Sequence, residues 1–175
     1  IPTWQCELRC VYCYIPKQDG RVMSLTTLER SIELLLTCER EELMLQFFGG
    51  EAMMEWDQVQ HGIRYASDRA AVLGKSVRFV LSSNGWGLTP ERLAWLQSYR
   101  VRLELSLDGE PEVQNLYRKA RDSTESSYAR SIADKAELLK NMDHEVIMVA
   151  PPVTASQIYQ NFFHVVDCGY EQVQI

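Results

Sequence analysis

Several features that mark other protein classes are missing from this sequence of 175 residues. No apolar run is long enough to span a membrane, and no secretory signal precedes the first cysteine, so we expect a cytoplasmic protein with no membrane partner. No basic run is present and the net charge is −6, which argues against nucleic acid as a partner. No low-complexity or Pro/Gly/Ser-rich stretch divides the chain, so we predict a single domain over residues 1–175.

Cysteine is scarce and unevenly distributed. Of the five cysteines, Cys6, Cys10 and Cys13 fall within "QCELRCVYCY" (residues 5–14), whereas Cys38 and Cys168 are remote. An odd number of cysteines argues against a secreted disulfide framework and suits a reducing compartment. A structural zinc site needs four ligands, and no fourth cysteine is within reach. Three thiols are the number expected for a metal centre that keeps one coordination position open.

Thiolates are soft ligands that suit zinc and iron–sulfur clusters. A C-x3-C-x2-C loop can bind three irons of a [4Fe-4S] cube, and the fourth iron can then accept a small molecule. Tyr12 would shield one side of such a cluster. From the residues alone, two other interpretations stay open: three incidental cysteines, or a zinc knuckle that a distant residue completes.

Short apolar segments bounded by turn residues alternate with helical patterns along the rest of the chain. The segments predict strands at 43–48, 77–82, 101–107, 146–150 and 173–175. Because strand and helix signals alternate, we predict an α/β fold with a parallel sheet, either open or curved into a barrel.

The helical patterns have recognisable ends. One helix is predicted to begin at Thr89 with Pro90 at its first position, and the stripe that starts at Trp56 is predicted to end at Gly74. A further stripe runs through Tyr128, Ile132, Ala136 and Leu139. The last helix is predicted to begin with a capping box at Thr154 and Gln157.

Small polar clusters follow three of the predicted strands. They are "GGE" at 49–51, "SNG" at 83–85 and "SLDG" at 106–109. The carboxyl ends of parallel strands meet at one edge of a sheet, where α/β proteins bind ligands. We therefore expect these clusters to form one site together with the cysteine loop, which precedes the first helix.

The spacing C-x3-C-x-aromatic-C resembles the signature of the radical S-adenosylmethionine (radical SAM) enzymes. The resemblance continues through "GGE", "SSNG", "LSLDG" and then "YR" at 117–118. This ordered set is similar to the branch that modifies peptides and proteins, which includes SPASM-type maturases and anaerobic sulfatase-maturating enzymes.

The resemblance implies a partial (β/α)6, TIM-like barrel of parallel strands. The chain begins with Ile1 rather than Met, and we expect a radical SAM core that is truncated at both ends, without its first strand and without a C-terminal auxiliary domain. The implied cofactors are a [4Fe-4S] cluster and S-adenosylmethionine. In such enzymes the reduced cluster cleaves S-adenosylmethionine to methionine and a 5'-deoxyadenosyl radical, which abstracts hydrogen from a substrate.

The resemblance also assigns residues to the two cofactors. Cys6, Cys10 and Cys13 match the cluster ligands, and Tyr12 matches the aromatic residue near the adenine. Gly49, Gly50 and Glu51 match the motif that receives the methionine ammonium. An ordinary turn, with Glu51 at a helix N-terminus, is the alternative. Ala52 stands where the family usually has Pro.

The resemblance implies further contacts, which come from residues 84 to 175. Ser106 matches a hydroxyl that contacts the carboxylate or ribose of S-adenosylmethionine, and Arg118 matches an arginine that pairs with the carboxylate. Asn84 and Asp108 are expected at the same mouth, although "NG" and "DG" also favour turns. Ile175 is aligned with backbone contacts to the adenine. If the resemblance does not extend to Arg118, its charge is expected to be solvated.

The implied partners are a peptide or protein substrate and an electron donor such as flavodoxin or ferredoxin. Two alternatives stay open: the same radical core acting on a small-molecule cofactor or sugar, or a non-catalytic iron–sulfur or zinc module. A requirement for S-adenosylmethionine would separate the enzyme from the module.

The other cysteines and the histidines receive no role in the site. Cys38 and Cys168 match no motif and are predicted to be buried structural thiols. His61 is predicted on a polar helix face, His144 in a loop and His164 in the last helix, none with metal-ligand spacing.

Overall fold

The computed structural model describes residues 1–15, 20–131 and 135–175. Strands and helices alternate along these residues. In chain order the elements are β1 (Leu8–Cys10), α1 (Leu25–Leu36), β2 (Glu42–Phe47), α2 (Trp56–Val72), β3 (Ser76–Ser83), α3 (Pro90–Ser98), β4 (Arg102–Ser106), α4 (Pro111–Tyr117), β5 (Arg118–Ala120), α5 (Ser127–Ser131), α6 (Lys135–Leu139), β6 (His144–Ile147), α7 (Ile158–Asp167) and β7 (Val173–Gln174). Short 3₁₀ helices at Ala52–Glu55 and Pro152–Gln157 precede α2 and α7.

Within the described residues, five parallel strands form a sheet in the order β2-β3-β4-β6-β7. Neighbouring strands in this order run parallel to each other, so the carboxyl ends of all five strands lie at one edge of the sheet. The predicted parallel α/β sheet is confirmed, and the strand bounds lie close to those predicted. His144, predicted in a loop, is instead the first residue of β6.

The apolar core lies between the helices and one face of this sheet. In β4, Leu103 and Leu105 are fully buried, whereas Arg102, Glu104 and Ser106 alternate with them and point to the other face. The helices contribute the fully buried side chains of Ile32, Ile63, Leu96 and Leu139. The face of β4 that points away from the core therefore carries polar side chains.

Most predicted helix ends agree with the structure. The Thr89 hydroxyl accepts a bond from the Arg92 N–H at 3.3 Å, with Pro90 as the first residue of α3. Gly74 follows α2 with a φ of +66°. No helix within the described ranges is both long and apolar enough to cross a membrane.

The capping box predicted at Thr154 and Gln157 is wrong. The Thr154 hydroxyl donates to the carbonyl of Pro151 at 3.0 Å, inside the 3₁₀ helix, and α7 begins only at Ile158. Pro151 and Pro152 favour an early tight turn, and a hydroxyl that bonds back to a nearby carbonyl cannot cap the following helix.

The apolar stripe predicted from Tyr128 to Leu139 is divided between two short helices. Tyr128 lies in α5, whereas Ala136 and Leu139 lie in α6. Ile132 falls outside the described residues.

A two-stranded antiparallel ribbon, which the sequence analysis did not predict, pairs β1 with β5. Its register places Leu8 opposite Ala120 and Cys10 opposite Arg118. The ribbon therefore joins the cysteine loop to the segment that carries Arg118, although these residues are far apart in sequence.

Candidate functional site

The cysteine loop and the strand ends enclose a cavity of about 420 Å³. Twelve residues were predicted for the site, all within the described part of the chain, and ten of them line this cavity. They are Cys6, Cys10, Tyr12, Cys13, Gly49, Gly50, Glu51, Asn84, Ser106 and Arg118. The two that do not line it are Asp108 and Ile175. Segments distant in sequence thus meet as predicted, and the cavity volume is in the range of small-molecule sites.

The three clustered thiols differ in exposure. Cys6 and Cys10 are half-buried and Cys13 is exposed. The Leu8 N–H points at the Cys6 sulfur at 3.3 Å, and the Asn84 amide nitrogen lies 3.5 Å from it. Burial raises the pKa of the Cys6 thiol to about 12. The chain's five cysteines, which all lie in the described ranges, form no disulfide.

The "GGE" turn packs directly against the start of the cysteine loop. The Gly50 N–H donates to the Thr3 carbonyl at 3.0 Å, and the Glu51 N–H donates to the Gln5 carbonyl at 2.7 Å. A Cβ atom on Gly50 would lie 2.1 Å from that Gln5 oxygen, so only glycine fits. Besides the ligand contact predicted for them, these glycines allow the backbone of the "GGE" turn to approach the backbone at the start of the cysteine loop.

Replacing Gly50 with Ala is therefore expected to destabilise the protein by about 3 kcal/mol, the upper end of overpacking costs, because the obstructing atoms are backbone. Thermal denaturation would measure this. Gly74→Ala is the matched control: its Cβ meets nothing within 4 Å, so only its positive φ should cost stability. Equal losses for the two variants would contradict the packing explanation.

Glu51 links three parts of the site through its carboxylate. Its two oxygens accept bonds from the Met53 N–H at 3.0 Å and the Asn84 N–H at 2.7 Å, and its side chain is buried. Burial raises the pKa of Glu51 to about 7, while these N–H groups favour the ionised form and oppose the rise. The carboxylate thus caps a 3₁₀ helix, which is the turn alternative considered for "GGE".

Asn84 combines a turn with a contact to the cysteine loop. Its Oδ1 accepts from the Trp86 N–H at 2.8 Å, as the "NG" turn alternative predicts. Its Nδ2 lies 3.5 Å from the Cys6 sulfur and 3.4 Å from a Glu7 oxygen. Asn84 therefore fixes the position of Cys6 in addition to lining the cavity.

Arg118 is not a solvated charge, because it is buried against Asp108. Its Nε and Nη2 donate to the two Asp108 oxygens at 2.9 and 2.8 Å. The Asp108 side chain is fully buried, and that of Arg118 is 7% exposed. Of the five N–H groups of a guanidinium, these bonds use two and leave three.

The same carboxylate binds two further groups. The Tyr12 hydroxyl donates to Asp108 Oδ2, and the Val149 N–H donates to Oδ1 at 3.0 Å. Burial raises the pKa of the Tyr12 phenol far above its ordinary value, and the Arg118 guanidinium lies 5.4 Å from the centre of its ring. Asp108, predicted to face the mouth of the site, instead holds Tyr12 and Arg118 from behind.

Ile175 is the other predicted residue that the structure does not bring to the cavity. It follows β7, in which Val173 pairs with Val146 and Gln174 with Ile147. Ile175 is 60% exposed. The contact of its backbone with the adenine, which the resemblance implies, stays a prediction. Ile147 and Val149 line the cavity, and their neighbours Val146 and Met148 are buried. Because every residue of "VIMVA" is apolar, no alternation in the sequence distinguishes the two that face the cavity.

Comparison with known protein families identifies the chain. Residues 1–160 match the family model described as Radical SAM superfamily. The chain belongs to the radical SAM superfamily. This superfamily consists of enzymes that use a [4Fe-4S] cluster and S-adenosylmethionine, so these are the cofactors of this radical SAM chain.

Curated relatives are distant. The chain is 27% identical to an uncharacterized protein of Methanothermobacter thermautotrophicus over 119 residues, which cover 67% of this chain and 45% of that protein. It is 23% identical to the radical SAM cyclopropyl synthase TigE of Paramaledivibacter caminithermalis over 121 residues, covering 59% of this chain and 25% of TigE. The radical SAM chain therefore spans less than half the length of the curated relatives it matches.

The solved structures that match align with nearly the whole of this chain. Native anSMEcpe with bound AdoMet and Kp18Cys peptide matches with a TM-score of 0.85 and 21% identity, covering 99% of this chain and 48% of that one. A histidine-tagged form of anSMEcpe with bound AdoMet matches with a TM-score of 0.88 and 19% identity at the same coverage. This similarity to an anaerobic sulfatase-maturating enzyme confirms the predicted fold, with the parallel sheet as part of the radical SAM barrel.

The donors present suit the iron–sulfur cofactor. Three soft thiols line one cavity beside a strand edge, and cysteine thiolates are the usual ligands of such clusters. In residues 1–15, 20–131 and 135–175, no three His, Cys, Asp or Glu side chains form a group that could hold one metal ion. A cluster does not need such convergence, because each thiol binds a different iron.

Proposed function

We propose that this chain is the core of a maturase, in which a radical formed from S-adenosylmethionine abstracts hydrogen from a peptide or protein substrate. The observation that carries the proposal is the meeting of Cys6, Cys10 and Cys13 with Gly50 and Ser106 in one cavity. When bound there, the cluster and S-adenosylmethionine supply reductive cleavage to methionine and a 5'-deoxyadenosyl radical. We further propose that residues 1–175 form one radical SAM core domain.

The proposed roles follow from what each residue presents to the cavity. Cys6, Cys10 and Cys13 would hold the cluster, and one iron without a protein ligand would be left for the amino acid part of S-adenosylmethionine. Backbone groups of Gly49 and Gly50 accept the ammonium, because the Glu51 carboxylate is bound by Met53 and Asn84.

On the opposite wall, the proposed contacts come from a hydroxyl and a guanidinium. Ser106 binds the carboxylate or ribose, and Arg118 offers the carboxylate its three remaining N–H groups. Tyr12 flanks the adenine side of the cavity. Asp108 positions Arg118 and Tyr12 without touching the cofactor.

The peptide class of substrate is supported by the similar proteins. One structural neighbour was solved with AdoMet and a Kp18Cys peptide. An electron donor such as flavodoxin or ferredoxin and a cytoplasmic location complete the proposal.

The decisive experiment is anaerobic turnover. We expect the reconstituted, reduced full-length protein to convert S-adenosylmethionine slowly to 5'-deoxyadenosine without substrate, as measured by chromatography. Cys13→Ala should abolish the product, whereas Cys38→Ala, an exposed cysteine outside the cavity, should not change it. Methylthioadenosine and homoserine as the sole products, or no turnover with an intact reduced cluster, would refute radical chemistry.

A further inference from the structure

A second group of potential metal ligands lies between α5 and α7, and none of its members lines the cavity described above. His164 and Cys168 are four residues apart at the end of α7, so their side chains share one helix face. The Tyr128 hydroxyl from α5 reaches both: it lies 2.8 Å from His164 Nε2 and 3.7 Å from Cys168 Sγ. The third side of this triangle, from Cys168 Sγ to His164 Nε2, is also 3.7 Å.

Two of these three distances are close to the edges of a metal coordination sphere. With Zn–S near 2.3 Å and Zn–N near 2.0–2.1 Å, ligand atoms in a tetrahedron lie about 3.3–3.6 Å apart. The distances from Cys168 Sγ to the Tyr128 hydroxyl and to His164 Nε2 are within about 0.2 Å of that range. Only the distance between the Tyr128 hydroxyl and His164 Nε2 must increase, by about 0.5 Å, when a metal binds.

A buried tyrosine hydroxyl close to Cys168 in the sequence also has no hydrogen-bond partner among the described residues. The Tyr170 hydroxyl is buried and makes no hydrogen bond with any described residue, although a buried hydroxyl normally has one. Tyr170 is fully buried, two residues beyond Cys168, and the centre of its ring lies 5.9 Å from that of His144.

The surroundings also favour a cation. The carboxyl end of a helix carries partial negative charge, and His164 and Cys168 occupy the last turn and the C-cap of α7. His164, Cys168 and Tyr128 are half-buried, so an ion can reach them from solvent.

We propose that His164, Cys168 and Tyr128 bind a divalent transition-metal ion of the zinc class, separately from the iron–sulfur cluster. On binding, the Cys168 thiol releases its proton to solvent and the His164 imidazole binds in its neutral form through Nε2. The Tyr128 hydroxyl gives up its hydrogen bond to that nitrogen, releases its proton to solvent and binds through its oxygen. The sulfur and imidazole donors select a borderline ion over magnesium or calcium. His164 and Cys168 are only two donors on one helix, and the third, Tyr128, comes from another helix, so spacing along the sequence did not indicate the site.

The test uses zinc on the iron-loaded protein, in which the cluster already occupies the cysteine loop. One equivalent of Zn²⁺ is added to the holoprotein, and X-ray absorption at the zinc edge reports its ligands independently of iron. We expect one sulfur near 2.3 Å with nitrogen and oxygen near 2.0 Å. A zinc shell without sulfur, or one with three sulfurs from the cysteine loop, would overturn the proposal.

Matched variants test the individual ligands. Cys168→Ser and His164→Ala should each raise the zinc dissociation constant at least about tenfold in competition with a zinc-binding dye. Cys38→Ser and His61→Ala are the controls, since Cys38 is exposed elsewhere and His61 pairs with Glu29. Circular dichroism and iron content verify folding, and if one variant does not fold, the other makes the same comparison. Equal constants in variants and controls would refute the site.

Discussion

Replacing Cys10 with Ala is expected to remove the iron–sulfur cluster entirely. Anaerobic reconstitution of the wild-type protein should give about four irons and four sulfides per chain, and the variant should fall to near zero. The reason is that Cys10 is one of only three thiols that line the cavity, so no other described thiol there can replace it. Iron and sulfide analysis together with Mössbauer spectroscopy measures the result.

Two other cysteines serve as controls for this experiment. Cys38→Ala and Cys168→Ala should keep the cluster, because neither thiol lines the cavity. Cys38 is exposed, so its predicted burial is wrong, and Cys168 is half-buried. Stoichiometric zinc in place of iron in the wild-type protein, with no cluster after reconstitution, would contradict the ligand assignment.

The sheet and the site edge could be predicted because their signals are local. Buried parallel strands appear as short apolar runs, and β2, β3 and β4 were found within one residue of their predicted bounds. Since parallel strands end at one edge, the polar clusters that follow them had to meet there. The cysteine spacing identified the chemistry without any knowledge of the tertiary structure.

What the sequence could not show depends on contacts between distant segments. The strand β5 has three residues, two of them basic, and it is stabilised by pairing with β1 in the cysteine loop. "DG" favours a turn locally, and only tertiary packing shows that Asp108 is a fully buried counter-ion. The exposure of Cys38, next to the C-cap of α1, likewise depends on which helix face is covered.

Replacing Arg118 with Ala is expected to destabilise the protein by about 3–5 kcal/mol, because it leaves the Asp108 charge buried without its ion-pair partner. For a domain of this size, that loss lowers the melting temperature by roughly 6–20 °C. Lys119→Ala is the control: Lys119 is an exposed neighbour, so its replacement should cost no more than about 0.5 kcal/mol.

A double variant tests whether the loss comes from the ion pair. Combining Asp108→Asn with Arg118→Met removes both charges, so the double variant should be more stable than the sum of the single effects predicts. Thermal denaturation of all four proteins gives the coupling. Strict additivity would mean that Asp108 and Arg118 do not stabilise each other.

Arg118→Lys separates this structural role from the proposed contact with S-adenosylmethionine. Lysine keeps the charge beside Asp108 but loses the planar fork, so it cannot hold Asp108 at two points and also reach a carboxylate. Loss of a charge-assisted bond costs roughly 1.5–3 kcal/mol, or about ten- to a hundredfold in affinity. Anaerobic titration of S-adenosylmethionine, well below the melting temperature, measures this for wild type, Arg118→Lys and Lys119→Ala. Weaker binding in Arg118→Lys alone would support direct contact. Equal affinity in all three, with Arg118→Lys less stable, would leave Arg118 as the partner of Asp108 and assign the carboxylate to Ser106 instead.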